Sequence, residues 1–157
     1  MDLINNRTKD ITTMALDGLY ERSKAISANT VNALTPNYRR KEVEFESSLR
    51  EVIRRENEKD ELKRQNAEFY QKNPDMVLKG RSPAELALLS TDLKDGFEIN
   101  VETDMSDPLD CDGNNVSIER EMMDESKNGM KFMVLTNLIS KQYKELRSAV
   151  SGQVNNS

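Results

Sequence analysis

The apolar residues of this chain form two stripes at helical spacing, one near each end, and these stripes constrain the fold more than any other feature. The first belongs to a helix predicted for residues 8–34 and comprises Ile11, Ala15, Leu19, Ile26 and Ala33. The second belongs to a helix predicted for residues 117–151 and comprises Ile118, Met122, Phe132, Leu135, Ile139, Tyr143, Leu146 and Val150. We expect the two helices to pair as an antiparallel coiled-coil-like unit, because each has an apolar stripe to bury.

The composition indicates that the chain cannot build a large core from its own residues. Hydrophobic residues make up 36% of the sequence, whereas average domains are about half apolar. A further set of apolar residues widens the C-terminal stripe, and these are Met123, Met130, Met133, Val134 and Leu138. We therefore expect a neighbouring subunit to cover the part of this broad surface that one helix leaves open.

The region between the two stripes is polar, and the fold class is therefore mostly α with an irregular middle. We predict four parts: an N-terminal axial helix with its turn (residues 1–38), an exposed middle segment (39–115), a C-terminal axial helix (116–152) and a flexible tail (153–157). Within the middle segment we predict a charged helix (residues 43–72), a short helix (83–92) and a short β element (97–102).

The first helix is predicted to stop near Leu34, where the sequence continues Thr35-Pro36-Asn37-Tyr38. Pro36 disfavours a helical conformation at Thr35, so the chain must turn there. Asn37 suits such a turn because asparagine tolerates a positive φ better than most residues. We expect Asn29, Asn32 and Tyr38 to face the C-terminal helix or neighbouring chains rather than water.

Several classes of function are disfavoured by composition. The chain has no histidine and a single cysteine, Cys111, so neither an enzyme nor a cofactor is expected. A net charge of −5 argues against a nucleic-acid partner. The sequence contains no run of about 18 apolar residues, so membrane insertion is not expected. The N-terminus lacks the pattern of a cleaved secretory signal. The turn-rich stretch from Asp110 to Glu121 partly fits a calcium-binding loop, although Asn115 stands where such a loop needs glycine.

Two stretches of the chain, residues 29–38 and 112–122, resemble segments of the bacterial flagellar axial proteins, and among them of the proximal rod proteins. Near the N-terminus, the family pairs an Ala/Asn-rich run with Thr-Pro-Gly-Tyr, and the matching residues are Asn29, Asn32, Ala33, Thr35, Pro36 and Tyr38. Near the C-terminus, the matching residues are Asp112-Gly113-Asn114-Asn115-Val116 followed by Glu119-Arg120-Glu121-Met122. Asn37 replaces the family's glycine, and Ala28 stands where the family usually has asparagine.

This resemblance implies a structural subunit of the proximal rod of the basal body, which assembles helically, transmits torque from the inner-membrane ring and lines the export channel. The implied location is the periplasmic rod, reached through the flagellar type III export apparatus without a cleaved signal peptide. The implied partners are identical subunits, other proximal rod proteins, the rod–ring adaptor and the inner-membrane MS-ring protein. The expected interface residues are Ile11, Leu19, Ile26, Asn29, Asn32, Thr35, Pro36, Tyr38, Asn114, Asn115, Val116, Met122, Phe132, Leu135, Ile139, Tyr143 and Leu146.

Two other functions are compatible with the residues alone. Periodicity by itself also allows a cytoplasmic coiled-coil adaptor, which would bury the same apolar stripes against a different partner. The stretch 110–121 allows a calcium-responsive helical regulator. Cellular location separates an adaptor from a rod subunit, and calorimetric titration with calcium tests the regulator.

Overall fold

The computed structural model describes residues 6–72, 91–108 and 112–151. Within these ranges, three helices and two strands follow one another along the chain as α1 (Asn6–Val31), β1 (Lys41–Glu44), α2 (Glu46–Lys72), β2 (Asn100–Thr103) and α3 (Ile118–Ser151). Helix α3 has 34 residues and is therefore about 50 Å long. The prediction of a mostly α fold with a short β element in the middle is confirmed.

Helices α1 and α3 pack side by side and run in opposite directions. Asn29, near the end of α1, donates a hydrogen bond to Glu121, near the start of α3. Ile11, near the start of α1, lines the same cavity as Leu138, which lies much further along α3. The predicted antiparallel pairing of the two terminal helices is therefore confirmed.

Helix α2 folds back along α1. Its first residue, Glu46, accepts a hydrogen bond from Arg22 at 2.6 Å, and Arg7 reaches Asn57 at 2.6 Å and forms an ion pair with Asp60. The second half of α2 thus lies near the start of α1, and α1 contacts both other helices.

The highly charged centre of α2 is an ordered helix that supports the chain before β2. Lys59 is 5% exposed, forms an ion pair with Glu56 at 2.6 Å and donates to the carbonyl of Thr91 at 2.7 Å. Arg55 donates to the carbonyl of Asp92 at 3.2 Å. These side chains bind backbone oxygens of a neighbouring segment, so they do not form a merely solvated surface.

The apolar core lies where α1, β1 and the start of α2 meet. Leu19, Ala25, Val43 and Phe45 form its buried cluster, with Leu135 of α3 packed against it. Gly18 makes this packing possible, because a Cβ atom at that position would lie only 2.4 Å from Cγ of Phe45. The group that approaches Gly18 is thus the aromatic ring of Phe45.

The two strands pair antiparallel, with Lys41 opposite Thr103 and Glu44 opposite Asn100. The predicted strand is present, but it covers residues 100–103 rather than 97–102. Residues 43 and 44, predicted to begin the charged helix, belong to β1 instead. Helix α2 starts only at Glu46, and the Glu44 carboxylate accepts a hydrogen bond from the amide of Ser47 at 2.9 Å, which caps the new helix.

Other predicted boundaries also change. Helix α1 ends at Val31 rather than Leu34, because the amides of Ala33 and Thr35 bond to carbonyls three residues back, those of Thr30 and Asn32, which forms turns instead of further α-helix. Residues 91 and 92, the predicted end of a short helix, are not helical. The remainder of that helix, the predicted tail, and Asp110 and Cys111 lie outside the described residues. No helix in the described ranges is both long and apolar enough to cross a membrane.

Candidate functional site

The side chain of Asn29 is the centre of a buried polar cluster between the two terminal helices. It is completely buried. Its amide nitrogen donates to the carbonyl of Lys41 at 2.8 Å and to Glu121 at 3.0 Å. Its oxygen accepts from the amide of Lys41 at 2.8 Å and from the hydroxyl of Tyr38 at 3.2 Å. All four hydrogen-bonding positions of the amide are therefore used.

A buried ion pair completes this cluster. Glu121 is 0% exposed and Arg40 is 3% exposed, and the Arg40 Nε donates to Oε1 of Glu121 at 2.5 Å. The Arg40 guanidinium also reaches Glu42 at 2.6 Å and Asp124 at 3.3 Å. Burial disfavours the charge on Arg40, but the hydrogen bonds and charges of Glu121 and Glu42 outweigh it and raise the Arg40 pKa. The charge is thus compensated on several sides.

Tyr38 lies at the edge of the same cluster. Burial raises the pKa of its hydroxyl, and the nearby charge of Glu121 raises the pKa further. The hydroxyl therefore stays protonated and serves as a donor to Asn29. The Thr35–Tyr38 turn is thereby fixed to the end of α1.

Asn114 caps the end of α1 from across the chain. Its amide nitrogen lies 3.0 Å from the carbonyls of Asn32 and Ala33 and 2.9 Å from that of Thr35. Its oxygen accepts from the amide of Val116 at 2.7 Å. The carbonyls of Asn32, Ala33 and Thr35 belong to the turns that follow α1, so Asn114 fixes those turns against the start of α3.

Asn115 connects the strands to the start of α3. Its oxygen accepts from the amide of Arg40 at 2.7 Å, just before β1. Its amide nitrogen donates to the carbonyl of Asp104 at 2.9 Å, just after β2. The neighbouring Val116 is buried. One asparagine therefore holds both strands beside the beginning of the C-terminal helix.

The two turns that meet here both need unusual backbone geometry. Asn37 has a φ of 59° and Gly113 a φ of 83°. The amide of Asn37 donates to the carbonyl of Asp112 at 2.9 Å. A Cβ atom at position 113 would lie 2.6 Å from the side-chain oxygen of Asn37, so only glycine fits.

We call the cluster of Asn29, Tyr38, Arg40, Asn114, Asn115 and Glu121 the polar junction.

Helix α3 also carries an apolar surface that the rest of the described chain leaves uncovered. An α-helix turns by about 100° per residue, and this rotation places the exposed apolar residues on the side of α3 opposite Glu121, Asn128 and Leu135. Those three residues face α1. We call this surface the methionine face, and its members are 57 to 65% exposed: Met122, Met123, Met130, Met133 and Val134. An exposed apolar surface of this size is suited to contact with another apolar surface.

The predicted interface residues fall into three groups. Thr35, Pro36, Met122, Phe132 and Tyr143 are exposed. Ile11, Asn32, Tyr38, Leu135, Ile139 and Leu146 are half-buried. Leu19, Ile26, Asn29, Asn114, Asn115 and Val116 are buried. The polar junction brings together Asn29, Tyr38, Asn114 and Asn115, as contacts within one chain, and a role of all these residues between subunits stays a prediction.

The first half of the C-terminal stripe faces a different way from the prediction. Ile118 and Met122 are 41% and 65% exposed, and the side facing α1 is formed by Glu121 and Asn128. Asn128 donates to the carbonyl of Leu19 at 2.9 Å. The pattern of apolar residues cannot identify this side of α3, because the residues that face α1 there are polar. The seven-residue spacing from Leu135 back to Asn128 and Glu121 could have identified it.

Sequence reasoning also missed the role of Arg40, which looks like one member of a short basic run. Its partner Glu121 stands at the last ligand position of the calcium-binding loop that residues 110–121 only partly fit. In the structure, both carboxylate oxygens of Glu121 are bound, one by Arg40 and the other by Asn29. In the described ranges, no group of three acidic or cysteine side chains could hold a metal ion.

Comparison with known proteins gives one clear similarity. The chain is 30% identical over 141 residues to the flagellar basal body rod protein FlgB of Borrelia hermsii, and the match covers 90% of this chain and 93% of that protein. No protein-family model matches the chain.

Proposed function

Because the chain belongs to the FlgB family of flagellar basal body rod proteins, we propose that it is a structural subunit of the proximal rod. In this role it assembles helically with identical subunits, transmits torque from the inner-membrane ring and helps to line the export channel. The family is structural rather than enzymatic. The methionine face is the observation that supports this role best, because an exposed apolar surface on a long helix needs a protein partner.

The polar junction suggests how such a subunit would transmit force. It ties the end of α1, both strands and the start of α3 together through side chains whose hydrogen bonds are satisfied. A buried network of this kind is rigid and has one preferred arrangement. We propose that it fixes the middle segment relative to the terminal helix pair, so that a load on one part moves the other.

The proposed partners and location follow from the family. Besides identical subunits, they are the other proximal rod proteins, the rod–ring adaptor and the MS-ring protein, with the type III export apparatus as the route out of the cell. The proposed location is the periplasmic part of the basal body, reached without cleavage of a signal peptide.

The substitution Met133→Glu tests the proposed use of the methionine face. Met133 is 65% exposed, so glutamate there should leave the folded monomer intact while placing a charge in a subunit interface. In cells whose only copy carries this change, we expect normal protein levels, loss of the chain from isolated basal bodies and loss of motility. Motile cells with normal basal bodies would contradict the proposal.

Two further variants test the packing of α3 on α1 rather than the methionine face, because Leu135 packs against the core cluster. Leu135→Glu and Ile139→Glu, on half-buried positions of α3, should also block rod assembly and motility. Glu98→Lys is the matched control, because Glu98 is exposed and its backbone carbonyl binds Ser48 of α2, and it should leave motility unchanged. Finding the wild-type chain in the cytoplasm, and not in basal bodies, would favour the coiled-coil adaptor instead.

A further inference from the structure

Asn128 and Gly129 form the one Asn-Gly pair in the sequence, and this pair lies at the contact between α1 and α3. Asn128 is 4% exposed and donates to the carbonyl of Leu19 at 2.9 Å. Its side-chain oxygen has no hydrogen-bond partner among the described residues. The Leu19 carbonyl can only accept, so the amide cannot turn over to bind its oxygen there. The side chain is therefore held at this contact through its nitrogen alone.

The packing of the described chain does not require glycine at position 129. A Cβ atom there would meet nothing within 4 Å. The residue lies inside α3, and the glycines with a positive φ in the described ranges are Gly96 and Gly113. Inside a helix, glycine is less favourable than alanine. What glycine does provide is a backbone nitrogen that no side chain of its own shields.

We propose that Asn128 is a deamidation site that the contact between α1 and α3 protects. The backbone nitrogen of Gly129 attacks the side-chain carbonyl carbon of Asn128 and closes a cyclic imide. The side-chain nitrogen leaves as ammonia and takes the proton of the attacking nitrogen with it. Water then opens the imide and leaves aspartate or isoaspartate at position 128. The net change is loss of ammonia and uptake of water, which agrees with the thermal lability of asparagine.

The fold blocks the first step of this reaction in two ways. In an α-helix, the amide of residue 129 is bound to the carbonyl four residues earlier, and its nitrogen is held away from the preceding side chain. The Leu19 carbonyl fixes the side chain of Asn128. Reaction therefore requires that α3 opens around position 128 and separates from α1. The rate of deamidation should follow the fraction of time for which this contact is open.

Deamidation would make that opening permanent. Aspartate at position 128 provides acceptors only, and it would place a charged oxygen against the Leu19 carbonyl in a site almost closed to water. Isoaspartate adds a methylene group to the main chain, which breaks the regular spacing of α3. A chain that stays open for long thus loses the ability to pair its terminal helices. This consequence does not depend on the proposed rod function.

Ageing the full purified chain in buffer and in urea tests the protection. Mass spectrometry of the peptide that contains residue 128 measures conversion, and hydrogen exchange of residues 121–128 in the same samples measures opening. We expect conversion to be at least about tenfold slower in buffer than in urea, in line with the exchange protection. Equal conversion in buffer and in urea would overturn the proposal.

Variants of the same helix test whether the contact with α1 is what protects the site. Leu135→Glu disturbs the packing of α3 on the core cluster and should raise conversion in buffer towards the rate in urea. Met133→Glu is the matched control, because Met133 is 65% exposed, and it should leave conversion unchanged. Gly129→Ala should slow conversion about tenfold even in urea, because the added methyl group hinders the attacking nitrogen. Conversion that is the same in all four proteins would show that neither the contact nor Gly129 controls the reaction.

The product of deamidation can be examined directly. Asn128→Asp has the sequence of the aspartate product, and we expect it to speed hydrogen exchange of α1 near Leu19 about tenfold, because the hydrogen bond between the helices is lost. Exchange as slow as in the wild-type chain would contradict the claim that deamidation keeps the helices apart.

Discussion

At the scale of single residues, Asn29 connects more of the structure than any apolar residue does. Its amide contacts the turn after α1, the start of β1 and the start of α3. No other residue of similar size provides two donor and two acceptor positions in the same plane. Aspartate has the same shape, but when ionised it provides acceptors only. The fixed geometry of the junction therefore depends on the amide group and not on hydrophobic burial.

Asn29→Leu should lower the free energy of unfolding by about 2–3 kcal/mol, because it leaves Oε2 of Glu121 and the backbone of Lys41 without the buried partner that Asn29 supplies. Asn32→Leu is the matched control. Asn32 lies just after α1, and its side chain makes only local contacts: it donates to the carbonyl of Ala28 at 2.8 Å and accepts from the hydroxyl of Thr35 at 3.3 Å. We therefore expect a loss below about 1 kcal/mol. Urea denaturation measures both, and equal losses would contradict the role assigned to Asn29.

The Arg22–Glu46 contact should make stability depend on pH in the acid range. Burial acts to raise the pKa of Glu46, but the hydrogen bond and charge of Arg22 outweigh it, so that the pKa lies below the usual 4.5. A lowered carboxylate pKa stabilises the fold above the unfolded-state value, and this contribution is lost as the pH falls through the folded-state value.

We therefore expect Glu46→Gln to cost about 0.5–1 kcal/mol at pH 7, a small value because the side chain is 39% exposed. The difference from wild type should shrink as the pH is lowered below about 4. Denaturant titrations at pH 7 and pH 3.5 check this. A difference that is the same at both values would show that the charge of Glu46 does not matter.

At the scale of helices and strands, local periodicity carried most of the information about the fold. The stripes containing Leu19 and Leu135 are close to the real contact between α1 and α3, because a helix must bury its apolar side. Strand β1 could not be foreseen in this way. Val43 is its one buried residue, and Glu42 and Glu44 look like the start of the charged helix that follows.

The polar junction was only partly predictable for a different reason. Asn29, Tyr38, Asn114 and Asn115 stand out as polar residues beside turns and match a family pattern. Arg40 and Glu121 do not stand out, because a charged residue in a charged chain is usually solvated. Only the three-dimensional fold brings these two, 81 positions apart, into one buried ion pair.

Two glycines within helices should respond oppositely to alanine. Glycine costs about 1 kcal/mol relative to alanine inside a helix, and a Cβ atom at Gly129 meets nothing within 4 Å. Gly129→Ala should therefore raise the free energy of unfolding by about 0.5–1 kcal/mol. Gly18→Ala should lower it, because the new atom would overlap the ring of Phe45. Thermal unfolding measures both, and stabilisation by Gly18→Ala would show that Phe45 can move away at little cost.

At the scale of the whole molecule, packing is uneven along the terminal helix pair. The polar junction and the cluster around Leu19 and Val43 hold one end. Towards the other end, a cavity of about 450 Å³ separates Ile11, Leu49 and Leu138. Less burial there should lower the local free energy of opening.

Hydrogen exchange of the unassembled protein should reflect this difference. We expect slow exchange for α1 near residues 19–29 and for α3 near 121–128, and faster exchange towards the start of α1 and the end of α3. Protection at the weakly packed end should increase when subunits associate, because a neighbour then supplies the missing contacts. Uniform protection along both helices in a dilute sample would contradict this account.

The most direct test of the central claim is a helical reconstruction of basal bodies isolated from the bacterium that encodes this chain. For a proximal rod subunit, we expect the α1–α3 pair to fit density in the innermost layer of the proximal rod, beside the export channel, with Met130 and Met133 covered by a neighbouring subunit. A proximal rod whose density is fully explained by other proteins, or one in which the methionine face points into open solvent, would contradict it.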